Sequence, residues 1–257
     1  MALWIEDDDP LPPGRSALGP DAEAPGLVAV GGRLTPQRLE EAYRKGLFPW
    51  FSQGQPALWW SPEPRMVLPV DAFAPSRSLR KTLRRFARSS GCEIRIDHAF
   101  ERVIRACATT PREGQDGTWI VPAMRDAYAQ WHRQGRVHSF ETWIDGELAG
   151  GLYGVSIGRM FFGESMFAHR SDASKIALAA LVAWCRGHGV PLIDCQQHTP
   201  HLASLGARTI TRAAFEAHLA QVLDAEGELD WTYDAATWRH LLQVEPAGAG
   251  AASREDP

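Results

Sequence analysis

VHSFETWIDGELAGGLYGVSIGRMFFGESMF, residues 137–167, decides the fold. The runs VHSFETWI and ELAGGLYGVSI flank Asp145-Gly146, a pair whose tolerance of positive φ suits a two-residue hairpin turn. The second run turns again at Gly158 into RMFFGESMF, so three antiparallel strands follow one another. A mostly apolar helix is predicted over about 172–186, capped by Ser171 or Asp172, and VPLIDCQ after it reads as a buried strand. Strand, helix and strand in that order make one parallel step. The stretch therefore predicts an α+β domain whose mixed sheet is flanked by helices.

Upstream, Thr35 and Pro36 open a helix with Leu39, Ala42 and Tyr43 on one stripe, and Gly46 ends it. LFPWFSQGQPALWWSPEPR follows, rich in proline yet carrying Phe48, Trp50, Phe51, Trp59 and Trp60, and reads as either a domain junction or a binding surface. From Ser76 a helix places Leu79, Leu83 and Phe86 on one face and Arg77, Arg80, Lys81, Arg84, Arg85 and Arg88 on the other. Asp97 is expected to cap the next helix, HAFERVIRACA, and a further helix over about 122–134 turns Met124, Ala127, Tyr128 and Trp131 inward. Downstream of LIDCQ come a short helix at PHLASLG and an amphipathic one capped by Thr211. Residues 6–25 read as an irregular lead-in, with ordered structure expected from about Gly26. The organisation predicted is a small domain over 1–62, a larger one over 63–244 and a disordered tail over 245–257.

Composition excludes several classes. The longest apolar run, IALAALVAW, falls well short of the roughly 20 residues that span a bilayer, and the acidic start MALWIEDDDP is unlike a signal peptide. Cys92, Cys107, Cys185 and Cys195 lack paired spacing, so free thiols in a reducing cytoplasm are expected and structural zinc is not. There is no GxxxxGK[ST], no strand-linked GxGxxG, no zincin spacing around the histidines and no GxSxG elbow. No metal or cofactor is expected. Against a net charge of −4, the acid-free basic helix is a local patch suited to phosphates, by shape or backbone contact to RNA rather than base reading.

Glu164 is the residue that asks for a reason. Period two puts it with Phe162 and Met166 on one face of its strand, and Phe161, Gly163 and Ser165 on the other. An unpaired carboxylate buried among such groups costs several kcal/mol. It either pairs with a buried arginine or backbone amides, or meets the polar part of a ligand in an apolar pocket. In LIDCQ, Asp194 and Gln196 share a face, with Ile193 and Cys195 on the other, a pair fitted to cap a loop or to hold one small polar group.

GGRLTPQRLEEAYRKGLFPW, LWWSPEPRMVLP, SRSLRK, GTWI, GELAGGLYGVSIG, FFGESMF and LIDCQ with HLASLGA resemble, in that order, the leucyl/phenylalanyl-tRNA-protein transferase family. The resemblance implies a small N-terminal domain joined to a domain with the fold of GCN5-related N-acetyltransferases, and a monomer. It implies transfer of leucine or phenylalanine, with methionine a further donor, from aminoacyl-tRNA to the α-amine of proteins beginning with Arg or Lys, marking them for degradation. By the same resemblance Trp59 or Trp60 and Trp119 face the adenosine end of the tRNA. Phe161, Phe162, Ser165, Met166 and Ile193 border the amino-acid pocket, and Asp194, Gln196 and Glu164 occupy active-site positions. Gln196, polarised by Asp194, is expected to orient the incoming amine, and Glu164 to bind that amine or the basic side chain. The rival reading on this fold is an acetyl-CoA-dependent N-acetyltransferase. It needs a glycine-rich turn before the helix at 172, and AHRSDASK has no glycine.

Overall fold

The structure, a computed structural model, describes residues 2–110, 120–238 and 241. The tail expected over 245–257 lies outside them. Helices and strands mix around two sheets. The smaller sheet is built from β1 (Leu3–Ile5), β2 (Leu27–Gly31), β3 (Phe48–Pro49) and β4 (Leu58–Trp60), with α1 (Pro36–Arg44) inserted between β2 and β3. Its order is β1-β2-β4-β3, and β1 runs parallel to β2. Thr35 accepts from the Arg38 amide and starts α1, as its sequence predicts.

The larger sheet takes β5 (Arg65–Pro69), β6 (Cys92–Ile96), β7 (Val137–Ile144), β8 (Glu147–Ile157), β9 (Met160–Ala168), β10 (Leu192–Gln196) and β11 (Arg208–Ile210) in the order β11-β5-β10-β9-β8-β7-β6. Helices α2 (Arg77–Phe86), α3 (Phe100–Thr109), α4 (Pro122–His132), α5 (Ala173–Gly187), α6 (Pro200–Ala203) and α7 (Arg212–Val222) connect and cover it. The meander of β7, β8 and β9 is antiparallel, Asp145 and Gly146 both have positive φ, and β9 runs parallel to β10 across α5. One apolar cluster packs α1, α3 and α4 on one face of the sheet, through Tyr43, Val103, Tyr128, Trp131 and Phe162. The other packs α2 and α5 on the opposite face, through Leu79, Leu83, Phe86, Phe161 and Ile193.

Three local expectations change. Residues before Gly26 are ordered: the Arg38 guanidinium donates to the carbonyls of Asp7 and Asp9, and Lys45 donates to that of Leu11, so charged side chains of α1 satisfy the backbone of the lead-in. Asp97 does not cap α3. It sits at φ 56° and accepts from the Ser139 amide, while Glu141 receives the Ala99 amide at the start of that helix.

The third change bears on the site. Strand β9 carries a bulge: Tyr153 pairs with Ser165 and Gly154 with Gly163, leaving Glu164 as the extra residue. Past it the alternation reverses, so Met166 packs with Phe161 on the α5 face, while Glu164 stays on the α1 and α4 face with Phe162. Period two alone puts Met166 beside Glu164, and the bulge is what parts them.

Candidate active site

The parallel ladder of β9 and β10 ends at Asp194 opposite Phe162, so Glu164 and Gln196 stand just past the last paired residues. At this point the Asp194 carbonyl oxygen lies 3.2 Å from where a Cβ on Gly163 would sit, an approach that glycine permits. Beyond the end of the ladder opens a cleft of about 560 Å³. Leu152, Met166, Leu178, Leu181, Ile193 and Leu202 give it an apolar wall, and Phe48, Pro49 and Trp50 close it from the smaller sheet. Glu164, Ser165, Asp194, Gln196, Gln197, Thr199 and His201 supply its polar groups. A mainly apolar hollow with a few convergent polar groups is what binding of an apolar molecule with one reactive polar end requires.

Glu164 finds neither of the partners its sequence suggested. Its Oε1 accepts from the Tyr43 hydroxyl at 2.6 Å and the Gln196 side-chain amide at 3.0 Å, and its Oε2 accepts from the Tyr128 hydroxyl at 3.0 Å. The two hydroxyls also lie 2.6 Å apart. Two tyrosine protons cannot fill three mutual contacts; a protonated Glu164 supplies the third and closes a ring of hydrogen bonds. Burial raises its pKa to about 7, with the hydrogen bonds from Tyr43 and Tyr128 opposing the shift. Burial and the neighbouring carboxylate push both tyrosines well above their ordinary range, so they remain donors. The site thus holds a carboxyl group that exchanges a proton near neutral pH.

Asp194 takes the buried arginine instead. Arg65 Nε and Nη2 donate to its Oδ1 and Oδ2 at 2.8 and 2.6 Å, with both side chains out of contact with solvent. Asp194 Oδ1 also accepts from the Gln196 backbone amide at 2.9 Å, and Gln196 stands in the left-handed region at φ 61°. The link between Asp194 and Gln196 therefore runs through the backbone, and the Gln196 side chain turns to Glu164. Cys195 lines the cleft, but burial pushes its thiol far up and removes it as a nucleophile.

The remaining predicted residues divide. Ser165, Met166 and Ile193 line the cleft, whereas Phe161 and Phe162 are fully buried, one in each apolar cluster, beneath it. Trp59 is wholly buried and donates to the Gly31 carbonyl; Trp60 donates to the Trp50 carbonyl and packs edge-on against that ring. Of the loop's tryptophans it is Trp50 that reaches the cleft. Trp119 lies outside the described residues. On α2, Arg77, Lys81, Arg84 and Arg85 are exposed and Arg80 is half-buried, Arg88 is exposed just past its end, and none of the six forms an ion pair among the described residues. Among the described residues no group of His, Cys, Asp or Glu could hold a metal ion, and no helix is long and apolar enough to cross a membrane.

Sequence reasoning missed Tyr43, Tyr128 and Arg65 as site residues. The tyrosines satisfied the apolar stripes of their helices, and the only available signal was a hydroxyl facing inward from each. Arg65 closes the proline-broken segment and carried no pattern of its own.

Residues 67–220 match the family model described as leucyl/phenylalanyl-tRNA protein transferase, and residues 32–63 match the model of its N-terminal domain. A leucyl/phenylalanyl-tRNA–protein transferase of Methylibium petroleiphilum is 62% identical over 257 residues, covering 99% of this chain and 97% of the relative. Similarly named proteins of Leptothrix cholodnii and Cupriavidus necator are 62% and 57% identical, over 94% and 97% of this chain and 95% and 100% of theirs. Among solved structures, L-PGS from Bacillus licheniformis is similar at a TM-score of 0.39 and 14% identity, over 68% of this chain and 55% of that one, too distant to carry an argument. With both family models matched and these relatives aligned end to end, the chain belongs to the leucyl/phenylalanyl-tRNA–protein transferase family of aminoacyltransferases.

Proposed function

We propose that this protein transfers leucine or phenylalanine, with methionine a further donor, from aminoacyl-tRNA to the α-amine of proteins beginning with Arg or Lys, and so marks them for degradation. The observation that carries the reading is Glu164, a buried carboxyl group held by Tyr43, Tyr128 and Gln196 at the border of an apolar cleft. In this reading the apolar wall takes the donor side chain, Trp50 and its neighbours face the adenosine end, and the basic face of α2 takes tRNA phosphates.

The chemistry is direct. The amine nitrogen attacks the ester carbonyl, the new C–N bond forms, and the bond to the ribose oxygen breaks. An N-terminal amine with a pKa of about 7.7 to 8.0 is largely protonated at neutral pH and must first lose a proton. Glu164, near 7, takes that proton at a cost of about 1.4 kcal/mol, against about 5 kcal/mol for an ordinary glutamate near 4.5. In the tetrahedral adduct the nitrogen gives up a second proton, which goes to the leaving ribose oxygen, and Glu164 returns the first to solvent. Because the ester is already activated, holding amine and carbonyl together supplies much of the remaining acceleration.

The fold assignment within this reading is a GCN5-related N-acetyltransferase-like domain over 63–244 after a small domain over 1–62. The enzyme is taken to act as a monomer in the cytoplasm, where four free cysteines fit a reducing compartment. Use of acetyl-CoA is disfavoured at the start of α5, where Asp172, rather than a glycine-rich turn, stands with Lys175 and Thr82 on its carboxylate. The test incubates the protein with charged Leu-tRNA and peptides beginning with Lys, Arg or Ala, beside an arm with acetyl-CoA. Leucylation of the Lys and Arg peptides alone is expected; acetylation, or no transfer, overturns the reading.

A further inference from the structure

We infer that Arg65 is a positioning residue for the transfer reaction, acting from outside the cleft on both hydrogen-bond donors that meet at Glu164 Oε1; the inference rests on the function proposed above.

The guanidinium is almost wholly buried and each of its contacts has a direction. Two nitrogens grip Asp194 as a fork, Nη1 donates to the Gly46 carbonyl at 3.1 Å, and Cζ lies over the rings of Phe48 and Phe215, 4.9 and 4.6 Å from their centres. A buried ion pair yields little net stability, because desolvation offsets its attraction. Fixed geometry is what the fork supplies in addition. Along β10, Asp194 holds the Gln196 amide and with it the left-handed turn that aims the Gln196 side chain at Glu164. That backbone conformation costs about 1 to 2 kcal/mol for a residue with a Cβ, so it needs such a tether. Along the other route, Gly46 follows α1, the helix that carries Tyr43, and Phe48 begins the strand leading to Pro49 and Trp50 in the cleft wall. One guanidinium thus registers α1 against β10, and Tyr43 and Gln196 arrive at the same carboxylate oxygen from those two elements.

Arg65→Lys tests this, since a lysine keeps the charge but cannot reproduce the fork and the Gly46 contact together. Two readouts are taken: single-turnover leucine transfer, and the Glu164 carboxyl titration followed by 13C NMR without substrate. The charged and titratable groups facing Glu164 are Tyr43, Tyr128, Asp194 and Arg65 itself. Transfer is expected to fall about 100-fold, as for a misplaced reacting group, with KM for charged tRNA unchanged. The Glu164 midpoint should rise, because a carboxylate that loses a donor favours its protonated form. Should the lysine variant fail to fold, Arg65→Met with Asp194→Leu fills the same space with apolar groups; the same fall is expected, and only the rate is read there, because losing the Asp194 carboxylate by itself lowers the Glu164 midpoint. An unchanged titration and rate in a folded variant overturn the inference. If the unaltered protein leucylates no peptide while the titration shifts as stated, the proposed function fails, and what stands is that Arg65 places the Tyr43 and Gln196 donors at Glu164.

Discussion

The hydroxyls of Tyr43 and Tyr128 lie 2.6 Å apart, brought together from two helices, and each also reaches the carboxylate of Glu164. The pair explains how a carboxyl group can be buried in this cleft without a cation beside it. The tyrosines share the carboxylate's charge, and burial still leaves its pKa near neutrality.

Removing either hydroxyl should therefore move the acid limb of transfer. Tyr43→Phe and Tyr128→Phe each take one donor from ionised Glu164, so the midpoint of the limb shifts to higher pH in both. The shift in the double variant should depart from the sum of the two, because all three groups share one network. Single-turnover rates measured from pH 5.5 to 9 decide this; midpoints that stay put would remove the tyrosines from the proton path.

Stability should show the same group with opposite benefit. The folded pKa of about 7 lies above the ordinary 4.5, so between those values the folded state binds a proton that the unfolded chain does not. This contribution is lost as pH rises through 7. Glu164→Gln, which keeps the shape of the protonated form, is expected to gain about 2 to 4 kcal/mol over the unaltered protein on going from pH 4.5 to 8. Urea unfolding at the two pH values reads it, and a stability difference between the two proteins that is the same at pH 4.5 and pH 8 contradicts it.

The basic face of α2 makes a separate prediction. Replacing Arg80, Lys81, Arg84 and Arg85 together by alanine should weaken tRNA binding and flatten its salt dependence. The slope of log K against log salt should fall by up to about 0.9 for each phosphate that is no longer neutralised. Leu79, Leu83 and Phe86 keep the helix packed, so the fold should persist. Filter binding of tRNA across salt concentrations checks it; an unaltered slope leaves the patch as a solvated surface.

Much of the fold and part of the site are legible in the sequence, and the failures have physical causes. The hairpin at Asp145-Gly146, the parallel step across α5 and the burial of Glu164 beside Phe162 follow from local pattern. The partners of Glu164 do not. Tyr43 and Tyr128 are 121 and 36 positions away from it, and their hydroxyls leave no periodic trace. Nor does period two survive a bulge, which is how Met166 comes to face α5. Asp194 and Gln196 stand out as a pair, but the expectation that one polarises the other's amide misses Arg65, whose bond with Asp194 spans 129 positions.

The central claim is that Glu164 accepts the amine's proton, and its most direct test is the pH dependence of single-turnover leucine transfer to a Lys- or Arg-starting peptide, in the unaltered protein and in Glu164→Gln. In the unaltered protein the rate should rise through a midpoint near pH 7 as Glu164 ionises, and again as the amine deprotonates near 7.7 to 8.0. In Glu164→Gln the rate should fall by about 10² to 10⁴, with only the amine's own limb left. A variant that transfers at the unaltered rate with both limbs intact would contradict the account.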